Sequence, residues 1–501
     1  MTETRDIEAA EPRAQEAKAH STFEDNAAND SIDSTNDLIA PAAANNKLSS
    51  LFDPHTFISK ASLPQLADYL RGGAKPASAW QCGVEFEVLG YTANDFERLD
   101  AVSVQRVVAQ LAAPSSSSPT HAKKIIYEDD VVIEAALEDG GRVTVEPGGQ
   151  VEFSGAPRSS LIEIERDIKV FLARLHEIAE ANECVFLAAG FDPLRRLDEQ
   201  RWFPKARYDV MRPYLATRGE RAWDMMARTC AVQVNFDYDS EIDLAKKFIL
   251  GNRLAPIVTA IFANSPFEDG APSVYKSTRA AAWLATDNAR AGVSTLALEN
   301  NFSPEEFVDY ALRVPMIFVR REDAYVDAVA NLSFSEFLEA GAGAIKPQFQ
   351  DWTDHLTTIF TEARLKQYIE LRSADGGDLR MALALAALWR GLMYDREALD
   401  EALRIAPKLK QKEMRGLQEA VARDALATQH AGVDVLHTAK DLIAIAAAGI
   451  KRFAPQEAKY LDVLREQVIE DEVCPADILL RNYRGAWHGS MQRVVEHLRI
   501  A

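Results

Sequence analysis

The sequence predicts an α+β protein built on an antiparallel sheet. Two observations carry that class. Short runs of alternating apolar and polar residues, closed by glycine and acidic turns, crowd the first half of the chain, and from about Leu379 onward the segments have the periodicity of amphipathic helices. Strands gathered first and helices later do not fit a doubly wound parallel sheet, in which the two alternate. With 501 residues, 47% hydrophobic and 26% charged, the chain can bury the core of one large catalytic domain.

Met1 to about Lys47 is rich in Ala, Asn, Ser, Asp and Glu, which predicts a disordered acidic tail ahead of a globular part over 48–501. Its acids argue against a transit peptide, and it lacks the apolar run of a secretory signal. "LPQLADYLRGGAK" predicts a helix ended by Gly72-Gly73. "CGVEFEVLGY" predicts a strand, "AVSVQRVVAQLAA" a helix and "PSSSSPTHAKK" a polar loop. The next three runs, "KIIYED", "VVIEAALEDG" and "GRVTVEPGGQVEFSGAP", predict an antiparallel meander. After them Leu161, Ile164, Ile168, Phe171, Leu172 and Leu175 share one face of a helix that should cover a side of that sheet. "VFLAAGFDP" and "TCAVQVNFDY" read as strands, the second alternating Val232, Val234 and Phe236 with Gln233, Asn235 and Asp237. "RLKQYIELRSADGG" carries a further alternation, and 379–501 is mostly helical in pattern.

A formal net charge of -20 argues against binding nucleic acid or an anionic membrane surface. The longest apolar runs, such as "ALALAALW" and "LIAIAAAGI", fall short of the roughly 18 residues of a membrane span. Cys82, Cys184, Cys230 and Cys474 have no zinc or disulfide spacing, which predicts core thiols in a reducing, cytoplasmic setting. The nine histidines are thinly spread, and His355 and His488 read as structural or surface residues. Phosphate-loop, HExxH and GxSxG motifs are absent.

Candidate chemistry lies in the strand acids. Glu85 and Glu87, two residues apart, point to one face of their strand while Phe86 points to the other. Glu146 and Glu152 flank the Pro147-Gly148-Gly149 turn, and Glu370 and Arg372 repeat the period-two spacing with an acid and a base. These five carboxylates, with Gln233 and Asn235 as neutral oxygen donors, suit Mg²⁺. Without a glycine-rich phosphate loop, they suggest an ATP site in which metal carries the phosphates. Lys205, Arg207, Arg212, Arg228 and Arg279 are candidates for a phosphate or a substrate carboxylate. For any one of them an ion pair with the surplus acids is the alternative.

"VEPGGQVEFSGAP", "PKARYDVMRPY", "MMARTCAVQVNFDYDSE", "IFANSPFEDGAPS", "DWTDHLTTIFTEARLKQYIELRSADGG" and "HGSMQRVVEHL" together resemble the plant and proteobacterial type of glutamate-cysteine ligase, from about Leu63 to the C-terminus. The resemblance implies a glutamine synthetase-like catalytic fold whose concave sheet face holds Mg²⁺, ATP and glutamate. It implies metal ligands at Glu85, Glu87, Glu146, Glu152, Gln233 and Glu370, and Arg372 facing the transferred phosphoryl group. It also implies Asn235 near the phosphates, with Arg207, Arg228 and Arg279 holding glutamate or phosphate. The family's first strand usually reads G-T-E-H-E-K, so Phe86 and Val88 depart from it, which bears on the surroundings of the acids and on the acceptor amine. The implied reaction joins L-glutamate and L-cysteine with ATP through a γ-glutamyl phosphate. A ligase for another amine and a noncatalytic glutamate- or nucleotide-binding relative are the alternatives.

Overall fold

The strand runs read from the sequence pair into one antiparallel sheet. The computed structural model describes residues 52–113, 122–322 and 324–501. The predicted tail over 1–47 lies outside the described residues. Nine strands form the main sheet: β1 (Cys82–Thr92), β2 (Ala122–Glu128), β3 (Val131–Leu137), β4 (Arg142–Val145), β5 (Val151–Ser154), β6 (Cys184–Leu187), β7 (Ala231–Phe236), β8 (Ala363–Leu365) and β9 (Ile369–Asp375). Their order is β8-β9-β7-β1-β5-β4-β3-β2, with β6 pairing the far end of β1. The predicted meander is β2 to β5, and the long β1 enters between β5 and β7.

The alternation gives the sheet two unlike faces. On one, Val84, Phe86, Val88, Val151, Phe153, Val232, Val234 and Phe236 are buried. Helix α3 (Leu161–Ala181) lies against this face, with Phe153 and Phe171 stacked at a centroid distance of 4.8 Å. Ser160 caps α3 in a capping box with Glu163, and the predicted stripe is buried except for the half-buried Leu172. Burying each of those large side chains contributes about 2 kcal/mol. The "ALALAALW" run belongs to α8 (Leu379–Met393), buried all round from Met381 to Met393 and packed on α3 and the sheet. A helix apolar on every side is a core helix. No described helix is long and apolar enough to cross a membrane.

Helix α1 (Leu63–Arg71) stops at Gly72 as predicted, and α2 (Ala101–Ala112) is capped by Asp100, which accepts from the Ser103 N–H. The strand-then-helix order holds only in part. Between β5 and β9 come α4 (Ala206–Ala216), α5 (Ala222–Arg228), α6 (Glu241–Ile261), α7 (Thr278–Leu284) and further short helices. His355 is buried, stacked on Phe334, with Nε2 2.9 Å from the Ala311 carbonyl, so it is structural as predicted. All four cysteines are free and buried.

Candidate active site on the carboxylate face of the sheet

Strand register brings the separated acids together. Glu85 lies opposite Ser154 of β5 and Gln233 of β7, and Glu87 lies opposite Glu152. Across the next pairing Asn235 stands opposite Glu370, which in turn faces Arg364 of β8. Side chains directly opposite share a face. One face therefore carries Glu152, Glu85, Glu87, Gln233, Asn235, Glu370 and Arg364 in adjoining rows, opposite the apolar one.

Neighbouring amides and guanidiniums tie these acids in place. Asn235 Nδ2 donates to Glu85 at 2.9 Å, Gln233 Nε2 donates to Glu87 at 3.2 Å and the Ala231 N–H donates to Glu87 at 2.7 Å. Arg364 grips Glu370 through Nε and Nη2 at 2.9 and 2.6 Å, and Arg372 Nη1 donates to both Glu370 and Gln233. Lys366 lies 3.6 Å from Glu370.

The electrostatics divide the face in two. Burial, then the charge of Glu146, pushes the Glu87 carboxyl up to about 8. Burial and the Glu370 charge raise Glu85, and burial with Glu85, Glu146 and Glu87 raises Glu152 well above the usual carboxylate range. All three keep some solvent access on the open face, which tempers these shifts. Burial would also raise Glu370, but Arg364, Arg372 and Lys366 together outweigh it and hold that carboxyl far below the usual range. On the β1–β5 half burial and neighbouring acids outweigh the nearby cations, while on the β8–β9 half the cations prevail.

The turn between Glu146 and Glu152 is held from outside the sheet. The Gly149 N–H donates to the Glu146 carbonyl at 2.8 Å, and Gly149 has φ 77°, which favours glycine. A Cβ on Gly148 would lie 2.1 Å from the Ala227 carbonyl oxygen. Arg98 Nη2 donates to the Gly148 carbonyl at 2.7 Å, and the buried Gln150 side chain donates to the Met226 and Thr229 carbonyls. Sequence reasoning missed Arg98, Gln150, Arg364 and Lys366. For the last two a signal existed, since "RLKQYIELR" alternates charges with the period of a strand.

The remaining arginines divide. Arg279 is buried and donates through Nη2 to the Arg372 carbonyl at 2.7 Å, beside Trp283 and Glu362. Arg207 donates to Thr357 Oγ1 at 2.8 Å and lies over Phe318, with no hydrogen bond to the acids. Arg228 shows the ion-pair alternative: its guanidinium pairs with Asp224 at 3.0 Å and Asp269 at 2.6 Å and lies over Phe191, the Asp224–Arg228 spacing being one helical turn along α5. Phe86 and Val88 are fully buried on the apolar face, so the departure from the family's first strand does not touch the acids.

Among the described residues no group of three or more His, Cys, Asp and Glu side chains is disposed as a metal cage. The donor chemistry nonetheless fits a hard divalent cation: among the described residues no lysine or arginine ion-pairs with the acids held above their usual range, and Asn235 Oδ1 is buried without a partner.

Fold and face together define an α+β protein with a carboxylate-lined face on an antiparallel sheet. A family model described as glutamate-cysteine ligase family 2 (GCS2) matches residues 81–497. The chain belongs to that family. The chloroplastic glutamate–cysteine ligase of Nicotiana tabacum is 37% identical over 437 residues, 86% of this chain and 82% of that protein. Its Arabidopsis thaliana counterpart is 36% identical over the same shares. A crystal structure of glutamate–cysteine ligase from Francisella tularensis in complex with AMP covers 81% of this chain and 85% of its own, at TM-score 0.49 and 12% identity. The expected cytoplasmic location is corrected by the relatives, whose names place them in the chloroplast. Unpaired thiols report redox conditions, not the compartment.

Proposed function

We propose that the carboxylate face joins the γ-carboxyl of L-glutamate to the amine of L-cysteine, with ATP cleaved to ADP and phosphate. The observation that carries this reading is the convergence of Glu152, Glu87, Glu85 and Glu370 from three strands beside Arg372, in a chain of this family. Glu85, Glu87, Glu152, Glu370 and Gln233 would hold Mg²⁺, with Glu146 at the edge. Bound there, Mg²⁺ supplies positive charge that offsets the phosphate oxygens.

A carboxylate is a poor electrophile, so its oxygen first attacks the γ-phosphorus of ATP, ADP leaves, and a γ-glutamyl phosphate forms. The cysteine amine then attacks the acyl carbon, phosphate leaves and the amine proton is lost. Arg372, fixed between Gln233 and Glu370, gives the transferred phosphoryl group a positive charge that need not reorganise. Asn235 stands nearer the phosphates. Arg279, anchored on the Arg372 carbonyl, takes the glutamate carboxylate, and Arg207 is an outer anion contact.

The test is formation of γ-glutamylcysteine and ADP from glutamate, cysteine, ATP and Mg²⁺, compared with a panel of other amines. Equal yields are expected for ADP and the dipeptide. Product from another amine and none from cysteine would overturn the reading.

A further inference from the structure

Arg212 and Arg228, both marked in the sequence as candidates for anions, line a second hollow apart from the carboxylate face. A cavity of about 710 Å³ opens between the 196–202 loop, α4, α5 and the Phe267–Pro272 hairpin. Its size is that of a small-molecule site.

The charges around it are settled except one. Asp198 pairs with Arg196 at 3.0 Å, Asp224 with Arg221 and Arg228 at 3.0 Å each, Glu268 with Arg221, and Asp269 with Arg228 at 2.6 Å. Arg212 has no carboxylate or carbonyl acceptor among the described residues. Its guanidinium sits in the angle of two indoles, 4.2 Å from the centroid of Trp202 and 5.1 Å from that of Trp223. Beside it the buried Arg228 leaves Nε without an acceptor. In a chain with 76 acidic and 56 basic side chains, a guanidinium within reach of the acids is expected to find one. Stacking on aromatic faces instead immobilises Arg212 and leaves its in-plane N–H groups free for a planar acceptor.

We propose that this hollow is a second ligand site that takes a small amino-acid zwitterion. The ligand carboxylate meets Arg212, and its ammonium turns to Asp269, half-exposed on the rim. The site stands independently of the reaction proposed for the sheet face.

Calorimetric titration of the whole chain with L-glutamate, glutarate and inorganic phosphate tests it, comparing the native sequence with Arg212→Gln and Trp202→Leu. Two glutamate-binding events per chain are expected for the native sequence. In Arg212→Gln the second weakens by about tenfold or more, the loss of one charge-assisted contact, while the first event and ligase turnover stay. Trp202→Leu, which keeps the charge but frees it, weakens the same event to a lesser degree and serves alone if Arg212→Gln does not fold. Unchanged binding in the folded variants overturns the proposal. So does glutarate binding as tightly as glutamate, or phosphate alone responding to Arg212. Absence of ligase turnover with the Arg212-dependent event intact would count against the sheet-face reaction only.

Discussion

Arg364 holds Glu370 in a two-pronged grip, Nε to Oε2 at 2.9 Å and Nη2 to Oε1 at 2.6 Å, across the β8–β9 pairing. Glu370 is fully buried, so its charge depends on that fork together with Arg372 and Lys366. Arg364→Gln is expected to cost about 3 kcal/mol of stability, as when one partner of a buried pair is removed. Denaturant unfolding checks this. Arg364→Lys should recover part of the stability and less of kcat, since an ammonium cannot hold both oxygens.

The opposite half of the face predicts the reverse. Glu87 and Glu152 are held above their unfolded values, so between about pH 4.5 and about pH 8 the folded state carries protons that the unfolded chain has lost. Metal-free protein should therefore lose stability as pH rises through that window. Glu87→Gln or Glu152→Gln should flatten the loss while abolishing ligase activity. Mg²⁺ should restore stability to the native sequence, more at pH 8 than at pH 6, and not to the variants. Unfolding midpoints with and without chelator measure both effects.

His355 supplies a separate acid limit. Burial pushes its imidazole down to about 3, so the folded state refuses a proton that the unfolded chain accepts below about pH 6.5. Stability should fall as pH drops from about 6.5 toward 3, by at most about 1.4 kcal/mol per pH unit. His355→Phe, which keeps a ring against Phe334, should show a shallower decline over the same range.

The strands, their acids and α3 are legible in the sequence because alternation and helical periodicity report which side is buried. Which strands neighbour one another is not, and the site depends on that. The insertion of β1 between β5 and β7 sets Glu87 opposite Glu152 and Glu85 opposite Gln233. The alternation of "RLKQYIELR" marks Arg364 and the i,i+4 spacing marks Asp224 beside Arg228, but the grip of Arg364 on Glu370 needs the β8–β9 register and the Asp269 partner of Arg228 comes from a hairpin distant in sequence. The pleat read from the sequence already turns Phe86 away from the acids, and the structure shows Phe86 and Val88 fully buried on that opposite face.

The hairpin turn predicts a positional effect. With the Ala227 carbonyl oxygen 2.1 Å from where an alanine Cβ would sit, Gly148→Ala must move backbone. It should cost about 1–3 kcal/mol, as overpacking does, and raise the Mg²⁺ concentration needed for half-maximal rate more than it raises KM for cysteine. Gln150→Leu, which removes the bonds to Met226 and Thr229, should show the same bias in steady-state kinetics.

The proposed reaction turns on phosphorylation of the glutamate γ-carboxyl at the carboxylate face. Glutamate carrying ¹⁸O in both γ-oxygens, turned over with cysteine and ATP, tests it through mass spectrometry of the products. One labelled oxygen is expected in each phosphate released and the other in the amide of γ-glutamylcysteine. Unlabelled phosphate accompanying dipeptide formation would contradict it.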